Sequence, residues 1–281
     1  MSDHLRAALA GVRAFVLDAD GVLLYKGQPI AGAADAVAEL RRRGIPYRVV
    51  TNFSSAHRAT LAAGFARATG LPVDPAEIIT AASAAAGYTR THHPRKPLLV
   101  LSTPDARREW DGQELVRLDE ADSRAQPVSA VVLGDVGDSL TFGDLDVAFR
   151  QIRAGAEFVA MHRNPWWMTP KGFTLDTGAL VAGLEFATGR RAVVCGKPSR
   201  VVFQEAVVEL RNQLAEASGR LRTADVAMVG DDPVADVAGA KRAGLRGFLV
   251  LTGKVDAAQA AASDVPMDGV AGSLQELVAH L

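Results

Sequence analysis

Two aspartates, Asp18 and Asp20, stand two positions apart at the end of the apolar run 12–17. Side chains alternate along an extended backbone, so both carboxylates are predicted to point to one face. Two like charges held this close are costly unless a cation or a proton-transfer role compensates them. One carboxylate could attack an electrophile while the other handles a proton on the leaving group, and Mg²⁺ would suit such oxygen-rich surroundings. The alternatives are a strand end with solvated acids and a metal site without catalysis.

A second polar position, Thr51, follows the apolar run 45–50 and precedes a helical stretch. Free backbone N–H groups at a helix start, together with the Thr51 hydroxyl, form a natural cradle for phosphate. Ordinary capping of the helix by Ser54 or Ser55 is the alternative explanation of the same residues.

Two more apolar runs, 192–196 and 225–230, end at Lys197 and Asp231. A lysine at such a turn could neutralise a phosphate and hold two acids close without mutual repulsion. A lysine that simply faces solvent is the alternative. Asp231 is placed to complete a set of oxygen ligands for Mg²⁺.

Two acids that follow Asp231 have more than one role open to them. Asp232 or Asp236 could orient metal-bound water or hold Lys197 in place without binding the metal directly. Asp232 could equally cap the helix that Pro233 begins.

The elements that must position these side chains are strands that alternate with helical patterns, which predicts an α/β fold with a parallel sheet. In such folds ligands bind where the carboxyl ends of the strands meet. A long segment between the second and third of these runs has its own strand and helix patterns, which indicates an inserted domain. We place the core at residues 1–84 and 189–281 and the inserted domain at 85–188.

The composition argues against several classes of partner. Hydrophobic residues make up 48%, charged residues 22% and the net charge is −1, so broad binding to nucleic acid or anionic membranes is not expected. No signal peptide is evident, and no apolar stretch reaches the roughly 18 residues of a membrane span. The single cysteine, Cys195, fits a reducing compartment. We therefore expect a cytoplasmic protein.

The four motifs together resemble the haloacid dehalogenase (HAD) superfamily. Its DxDG motif matches residues 18–21, its Ser/Thr motif Thr51, its lysine motif Lys197 and its GDxxxxD motif residues 230–236. All four occur in the order that the family has, and the resemblance covers nearly the whole chain.

The spacing resembles one branch of that superfamily. The interval from Asp18 to Thr51 is too short for a cap domain, whereas the interval from Thr51 to Lys197 has room for a large one. This is similar to subfamily IIA, whose members carry a C2-type cap and include NagD-like and 4-nitrophenylphosphatase-like enzymes. The stretches 228–232 and 251–254 look closest to the phospholysine phosphohistidine inorganic pyrophosphate phosphatase group.

The resemblance implies a Rossmann-like core, an α/β cap over the active site and Mg²⁺-dependent hydrolysis of a small phosphorylated metabolite through an aspartyl-phosphate. Asp18 would be the nucleophile, and Asp20 would act as acid and then as base. The residues that hold the phosphoryl group would be Thr51, Asn52 and Lys197. The metal would be held by Asp18, the Asp20 main-chain carbonyl and Asp231. Dehalogenase chemistry is not expected, because that branch lacks the second acid.

The resemblance also implies a substrate-specificity loop at residues 161–172. Its candidate substrate-contacting residues are His162, Arg163, Asn164, Trp166 and Trp167. Either tryptophan could stack on a planar or apolar leaving group, or pack in the cap core or a dimer interface. The loop departs from the commoner Asn-Pro-Asp pattern, so no relative's substrate is transferred. Homodimerisation through the cap is expected from the resemblance alone.

Three alternatives to a phosphate-ester hydrolase stay open. The same fold could hydrolyse a phosphoramidate or inorganic pyrophosphate. A non-catalytic binding protein could retain the fold, although the intact set of motif residues argues against it. Binding of a dinucleotide is disfavoured because no G-x-G-x-x-G sequence follows the first strand.

Overall fold

The computed structural model describes residues 2–169, 172–215 and 220–281 of the chain. The strands, in chain order, are β1 Ala14–Asp18, β2 Leu24–Tyr25, β3 Gln28–Pro29, β4 Tyr47–Thr51, β5 Ile78–Thr80, β6 Leu98–Leu101, β7 Ala130–Leu133, β8 Glu157–Ala160, β9 Trp166–Thr169, β10 Gly172–Leu175, β11 Val193–Val194, β12 Val226–Gly230, β13 Arg246–Val250 and β14 Gly269–Ala271.

The α-helices are α1 Ser2–Leu9, α2 Ala33–Arg42, α3 Arg58–Thr69, α4 Ala81–His92, α5 Leu118–Ser123, α6 Phe142–Arg153, α7 Thr177–Thr188, α8 Arg200–Ala215, α9 Gly239–Arg242, α10 Ala257–Ala261 and α11 Leu274–Ala279. A π-helical turn spans Pro233–Ala238, and short 3₁₀ turns occupy Pro75–Glu77, Ala106–Trp110, Gly137–Ser139 and Thr223–Asp225. In the described ranges, no helix has the length and apolar character that a membrane crossing requires.

The described residues divide into two compact units. Unit 1 comprises Met1–Thr51, Ala59–Ile79 and Lys197–Leu281, and unit 2 comprises Asn52–Arg58 and Thr80–Gly196. Unit 2 extends past both ends of the 85–188 expected from sequence. It also takes in the separate segment 52–58, which we call the strap.

Unit 1 is built on a six-stranded sheet in the order β14-β13-β12-β1-β4-β5. β1 pairs in parallel with β12 and β4, and β13 pairs in parallel with β12 and β14. Every residue of β1, β4 and β12 is buried, as expected for parallel strands covered on both faces. The prediction of an α/β core with a parallel sheet is confirmed.

The central strands of this sheet deliver three of the motif residues to one edge. β12, β1 and β4 are neighbours and run parallel. Asp18 and Thr51 are the last residues of β1 and β4, and Asp231 follows β12 directly. The sheet therefore brings together residues that are far apart in the sequence.

Unit 2 contains a parallel four-stranded sheet in the order β11-β8-β7-β6 and an antiparallel hairpin of β9 and β10. Its buried apolar residues include Leu99, Val131, Ile152, Phe158 and Val181. They form a core separate from that of unit 1.

The apolar run 192–196 is not a strand of the unit 1 sheet, and the expectation that it would be one is wrong. Val193 and Val194 pair with β8 at the edge of the unit 2 sheet. The amides of Cys195 and Gly196 continue this pairing toward Ala160 and Met161. An apolar run shows that a segment is buried, but it does not indicate which sheet the segment joins.

The strap is fastened within unit 2 by polar contacts. The carboxylate of Glu109, which is 4% exposed, accepts hydrogen bonds from the Arg58 backbone N–H at 2.8 Å and from Arg58 Nε at 3.0 Å. Thr103 Oγ1 donates to the Ser55 carbonyl at 2.6 Å. The strap is therefore structurally part of unit 2, although residues 59–79 that follow it belong to unit 1.

Candidate active site

Asp18 is buried at the end of β1 and is held by two donors. The Lys197 ammonium lies 2.6 Å from Asp18 Oδ1, and the Ala19 N–H donates to the same oxygen at 2.7 Å. Neither contact uses Asp18 Oδ2. Burial raises the pKa of Asp18 well above its usual value and the Asp236 carboxylate adds to this, while Lys197 lowers it.

Lys197 joins two buried carboxylates. Its Nζ lies 2.6 Å from Asp18 Oδ1 and 2.8 Å from Asp236 Oδ1. Burial alone would lower the pKa of Lys197, but the two carboxylates outweigh burial and raise it. The side chain is 5% exposed, so Lys197 is a charged, buried partner of acids rather than a solvent-facing lysine.

Three buried acids converge on one point in unit 1. One carboxylate oxygen from each of Asp18, Asp231 and Asp236 lies within 4.8 Å of the other two. With one lysine among three acids, this cluster has an excess of negative charge, which a bound cation would compensate.

The two distal acids of this cluster differ in how their oxygens are used. Asp236 pairs with Lys197 through Oδ1 and accepts the Asp232 N–H through Oδ2 at 3.1 Å. Asp231 accepts the Lys254 N–H through Oδ2 at 2.9 Å. Among the described residues, neither Asp231 Oδ1 nor Asp236 Oδ1 has a hydrogen-bond partner, but Asp236 Oδ1 has the Lys197 ammonium at 2.8 Å. A buried carboxylate oxygen without a donor is costly. The Asp231 position therefore fits a hard cation better than the Asp236 position does.

Burial, and secondly the Asp236 carboxylate, raises the pKa of Asp231 to about 6. Lys254 lowers this pKa through its charge and its backbone hydrogen bond, but by less. A cation bound at Asp231 would favour the ionised carboxylate and so offset the unfavourable effect of burial on its charge.

Asp20 lies two residues after Asp18, just beyond the end of β1, and it is exposed to solvent. Partial desolvation raises the pKa of Asp20, and the ammonium groups of Lys197 and Lys254 offset part of this rise. Gly21 then turns the chain with a φ of 78°, a left-handed conformation that favours glycine. An accessible carboxyl group with a raised pKa is suited to donating and accepting a proton.

Asp232 has two roles. Its Oδ1 accepts the N–H groups of Val234 and Ala235, both at 2.8 Å, and caps the turn that begins at Pro233. Its Oδ2 lies 2.8 Å from Lys254 Nζ. Burial opposes the charge of Asp232, but the bonds from Lys254 and from the two amides outweigh burial and lower its pKa. Asp236, rather than Asp232, holds Lys197.

The loop after β13 supplies a part of the site to which sequence reasoning assigned no role. Thr252 Oγ1 donates to the Gly21 carbonyl, and Lys254 contacts both Asp231 and Asp232. A Cβ at Gly253 would lie 2.0 Å from Asp231 Oδ2, so only glycine allows this approach. The signal was present in the sequence, because the apolar run of β13 is also followed by a polar residue, Thr252.

Six of the predicted site residues belong to unit 2: Asn52, His162, Arg163, Asn164, Trp166 and Trp167. Asn52 follows Thr51 directly, and its Nδ2 donates to Asn164 Oδ1 at 3.3 Å. His162 is 2% exposed, and burial lowers its pKa while nearby carboxylates oppose this. Arg163 pairs with the buried Glu185 at 2.8 Å. His162 and Arg163 are thus engaged inside unit 2.

Trp166 and Trp167 lie on β9 of the hairpin and are 54% and 53% exposed. Trp166 contacts Phe173 edge to face, with ring centroids 4.8 Å apart. Neither tryptophan is packed in the core of unit 2. Pro170 and Lys171, which belong to the predicted specificity loop, lie outside the described residues.

Two family models match the chain. A model described as haloacid dehalogenase-like hydrolase matches residues 15–115, and one described as HAD-hydrolase-like matches residues 194–277. The first range contains Asp18, Asp20 and Thr51, and the second contains Lys197 and Asp231.

Individual proteins are similar over nearly the whole chain. The phospholysine phosphohistidine inorganic pyrophosphate phosphatase of Bos taurus is 32% identical over 276 residues, covering 96% of this chain and 94% of its own. The structure of a p-nitrophenyl phosphatase from Archaeoglobus fulgidus superimposes with a TM-score of 0.84 at 28% identity, covering 96% of this chain and 99% of its own. A glycerol phosphate phosphatase from Mycobacterium tuberculosis, in complex with calcium, superimposes with a TM-score of 0.79 at 28% identity, covering 96% and 76%.

Proposed function

Because the chain belongs to the haloacid dehalogenase-like hydrolases and is a phosphatase of that family, we propose that it hydrolyses small phosphate esters with Mg²⁺ through an aspartyl-phosphate on Asp18. The observation that carries this proposal is the buried ammonium of Lys197 between Asp18 and Asp236. Its positive charge lowers the pKa of the Asp18 carboxyl group, which burial and Asp236 raise, and so favours the ionised form of the nucleophile.

The metal in this proposal is held by Asp18, Asp231 and the main-chain carbonyl of Asp20. Its support is Asp231 Oδ1, for which the described residues provide no hydrogen-bond partner, together with the excess of acids over lysine in the cluster. When bound, Mg²⁺ would offset the negative charge of both the phosphate and the acids. Asp236 stays with Lys197, because its Oδ1 lies 2.8 Å from the Lys197 ammonium and its Oδ2 accepts the Asp232 N–H.

In the first step, Asp18 Oδ2 forms a bond to phosphorus while the bond from phosphorus to the leaving oxygen breaks. Asp20 in its acid form donates its proton to that oxygen, and the raised pKa of Asp20 suits this role. The phosphoryl oxygens are held by Lys197, the Thr51 hydroxyl and the Asn52 N–H.

In the second step, Asp20 is a carboxylate and removes a proton from water. The water oxygen forms a bond to phosphorus, and the bond from phosphorus to Asp18 breaks. Phosphate leaves, Asp18 is again a carboxylate and Asp20 is again protonated, so the cycle closes without another reactant.

A second candidate substrate class is the phosphoramidate or pyrophosphate group. The similarity to the Bos taurus phosphatase, whose name includes phospholysine, phosphohistidine and pyrophosphate, favours this class. A leaving amine needs a proton as an alkoxide does, and Asp20 could supply it. The ratio of kcat/KM values for pyrophosphate, phosphohistidine and 4-nitrophenyl phosphate decides between the two classes.

The test of the proposed function is release of 4-nitrophenol from 4-nitrophenyl phosphate with Mg²⁺, with EDTA, and with Asp18→Asn. We expect activity to be lost in EDTA and in the variant, and to be retained in Asp35→Asn, which removes an exposed acid of α2. If Asp18→Asn keeps wild-type activity, Asp18 is not the nucleophile. If the wild type is inactive on every ester, phosphoramidate and pyrophosphate tested, the binding-protein alternative replaces the enzyme.

The prediction of a homodimer is supported by exposed apolar side chains on unit 2: Phe142, Trp166, Phe173, Leu175 and Phe186. Because α7, which carries Phe186, packs against both α6 and β9, we propose that this face pairs with a second copy. Sedimentation velocity of the wild type and Phe186→Ser tests it, and a monomeric wild type contradicts it.

The proposed location is cytoplasmic, supported by the single buried Cys195.

A further inference from the structure

Three hydrogen bonds in unit 2, together with the backbone from Asn52 to Ser54, form a ring that includes the proposed phosphate-binding residue Asn52. Asn52 Nδ2 donates to Asn164 Oδ1 at 3.3 Å, and the Asn164 N–H donates to His162 Nδ1 at 3.3 Å. His162 Nε2 lies 3.0 Å from Ser54 Oγ, and Ser54 is two residues after Asn52. We call these four residues, Asn52, Ser54, His162 and Asn164, the polar ring.

The hydrogen bonds of the ring determine which nitrogen of His162 carries the proton. Nδ1 accepts the Asn164 N–H, so the proton lies on Nε2 and is donated to Ser54 Oγ. The Asp176 carboxylate, 3.8 Å from Nε2, favours the same tautomer. Burial lowers the pKa of His162, which keeps the imidazole neutral with one donor and one acceptor. A neutral imidazole is the form that the ring requires.

Two members of the ring, His162 and Ser54, are buried, whereas Asn52 and Asn164 are partly exposed. His162 and Ser54 are 2% and 4% exposed. Ser54 Oγ also accepts the Asp135 N–H at 3.3 Å. A Cβ at Gly196 would lie 2.6 Å from Asn52 Oδ1 and 2.7 Å from the Met161 carbonyl, so the chain passes the ring without spare room.

The position of the ring in the sequence gives it a functional meaning. Asn52 is the first residue after Thr51, and Gly196 is the last residue before Lys197. The ring thus includes the first residue after Thr51, and Gly196, the residue before Lys197, packs closely against Asn52. A peptide bond transmits a displacement of Asn52 directly to its own N–H, which is the group proposed to hold a phosphoryl oxygen.

We propose that His162 is a positioning residue, which fixes the backbone of Asn52 through Ser54 and Asn164 and so sets the affinity of the site for phosphate. This inference rests on the proposed function, because the role of the Asn52 N–H comes from it. His162 acts through its neighbours and does not touch the substrate, which differs from the substrate contact expected for it from sequence.

The test measures inorganic phosphate affinity by calorimetry with Mg²⁺, together with KM and kcat for 4-nitrophenyl phosphate. For His162→Ala and for Ser54→Ala we expect phosphate Kd and KM to rise about tenfold, equivalent to about 1.4 kcal/mol, with kcat changed by less than about threefold. His162→Gln restores a donor to Ser54, and His162→Asn restores an acceptor for Asn164. We expect each to recover part of the affinity. The control is His92→Gln, an exposed histidine elsewhere in unit 2, which should bind phosphate as the wild type does.

The outcomes separate the two proposals. If wild-type protein binds phosphate and the folded His162→Ala and Ser54→Ala variants bind it equally well, the positioning role is overturned and the proposed function stands. Loss of kcat at unchanged Kd also overturns it, since that result indicates a different role. If wild-type protein neither binds phosphate nor hydrolyses any phosphorylated compound, the proposed function fails, and this inference fails with it. Should His162→Ala not fold, Ser54→Ala alone decides, because it removes one hydroxyl and leaves the imidazole in place.

Discussion

Removal of the charge on Lys197 should strongly destabilise unit 1, because that ammonium is the buried counter-charge of Asp18 and Asp236. Breaking a buried ion pair by removing one partner costs about 3–5 kcal/mol. In Lys197→Met both Asp18 and Asp236 would lose the buried ammonium that they contact, so we expect a loss of stability near the upper end of that range. A typical total stability is about 5–15 kcal/mol, so the loss is large but measurable.

A double-mutant cycle makes this prediction specific. Asp236→Asn alone should cost about 1–2 kcal/mol, since Lys197 keeps Asp18 as its partner. In the double variant Lys197→Met with Asp236→Asn, one of the uncompensated charges is gone. The double variant should therefore lose about 2 kcal/mol less stability than the sum of the losses in the two single variants. Free energies of unfolding from urea titrations in EDTA measure all three values without a contribution from bound metal.

The control for the cycle is the pair of Lys254 and Asp232, with the same separation of 2.8 Å but a lysine side chain that is 61% exposed. Lys254→Met should cost less than about 1 kcal/mol, because an exposed pair is screened by solvent. If the stability lost in the double variant equals the sum of the losses in Lys197→Met and Asp236→Asn within about 0.5 kcal/mol, the electrostatic reasoning is refuted. Equal losses in Lys197→Met and Lys254→Met would refute it as well.

The metal-free protein should lose stability as the pH rises from about 4 to 7, because the pKa of Asp231 is about 6 when folded, above its usual 3.8. Folding then holds a proton that the unfolded chain releases, and the stabilisation is lost as the pH passes through 6. Urea titrations in EDTA should show that the free energy of unfolding of the wild type falls by about 2 kcal/mol over this pH range relative to that of Asp231→Asn. A difference between the two proteins that does not change with pH would contradict this prediction. Gly253→Ala should raise the Mg²⁺ concentration for half-maximal activity about tenfold, because its Cβ would meet Asp231, whereas Gly183→Ala, with nothing within 4 Å, should not. If Trp166 or Trp167 stacks on the leaving group, its change to alanine should lower kcat/KM for 4-nitrophenyl phosphate relative to glycerol phosphate about fivefold; an unchanged ratio in both variants contradicts stacking.

The core of the fold could be predicted because its signals are local. β1, β4 and β12 are apolar runs that end at polar residues, and parallel pairing places such ends together. The proximity of Lys197 to the acids could also be expected, since one buried cation among several carboxylates is the arrangement that electrostatics favours.

Other parts of the site depend on long-range packing, which a sequence pattern does not encode. The membership of Val193 and Val194 in the unit 2 sheet depends on a partner strand more than 30 residues earlier. The contacts of Lys254 with Asp231 and Asp232 depend on how a loop folds back over another strand. The burial of His162 was likewise hidden, because polar residues in a loop are usually solvated.

The strap has a consequence for the evolution of this architecture. A gene fragment that encodes residues 80–196 would carry most of unit 2 but would lack Ser54 and Arg58. In such a fragment Glu109 would be a buried carboxylate without its guanidinium, and His162 would lose its acceptor. The inserted unit is therefore not a transferable cassette. An exchange of caps between relatives would have to carry two separate stretches of sequence at once to keep these contacts.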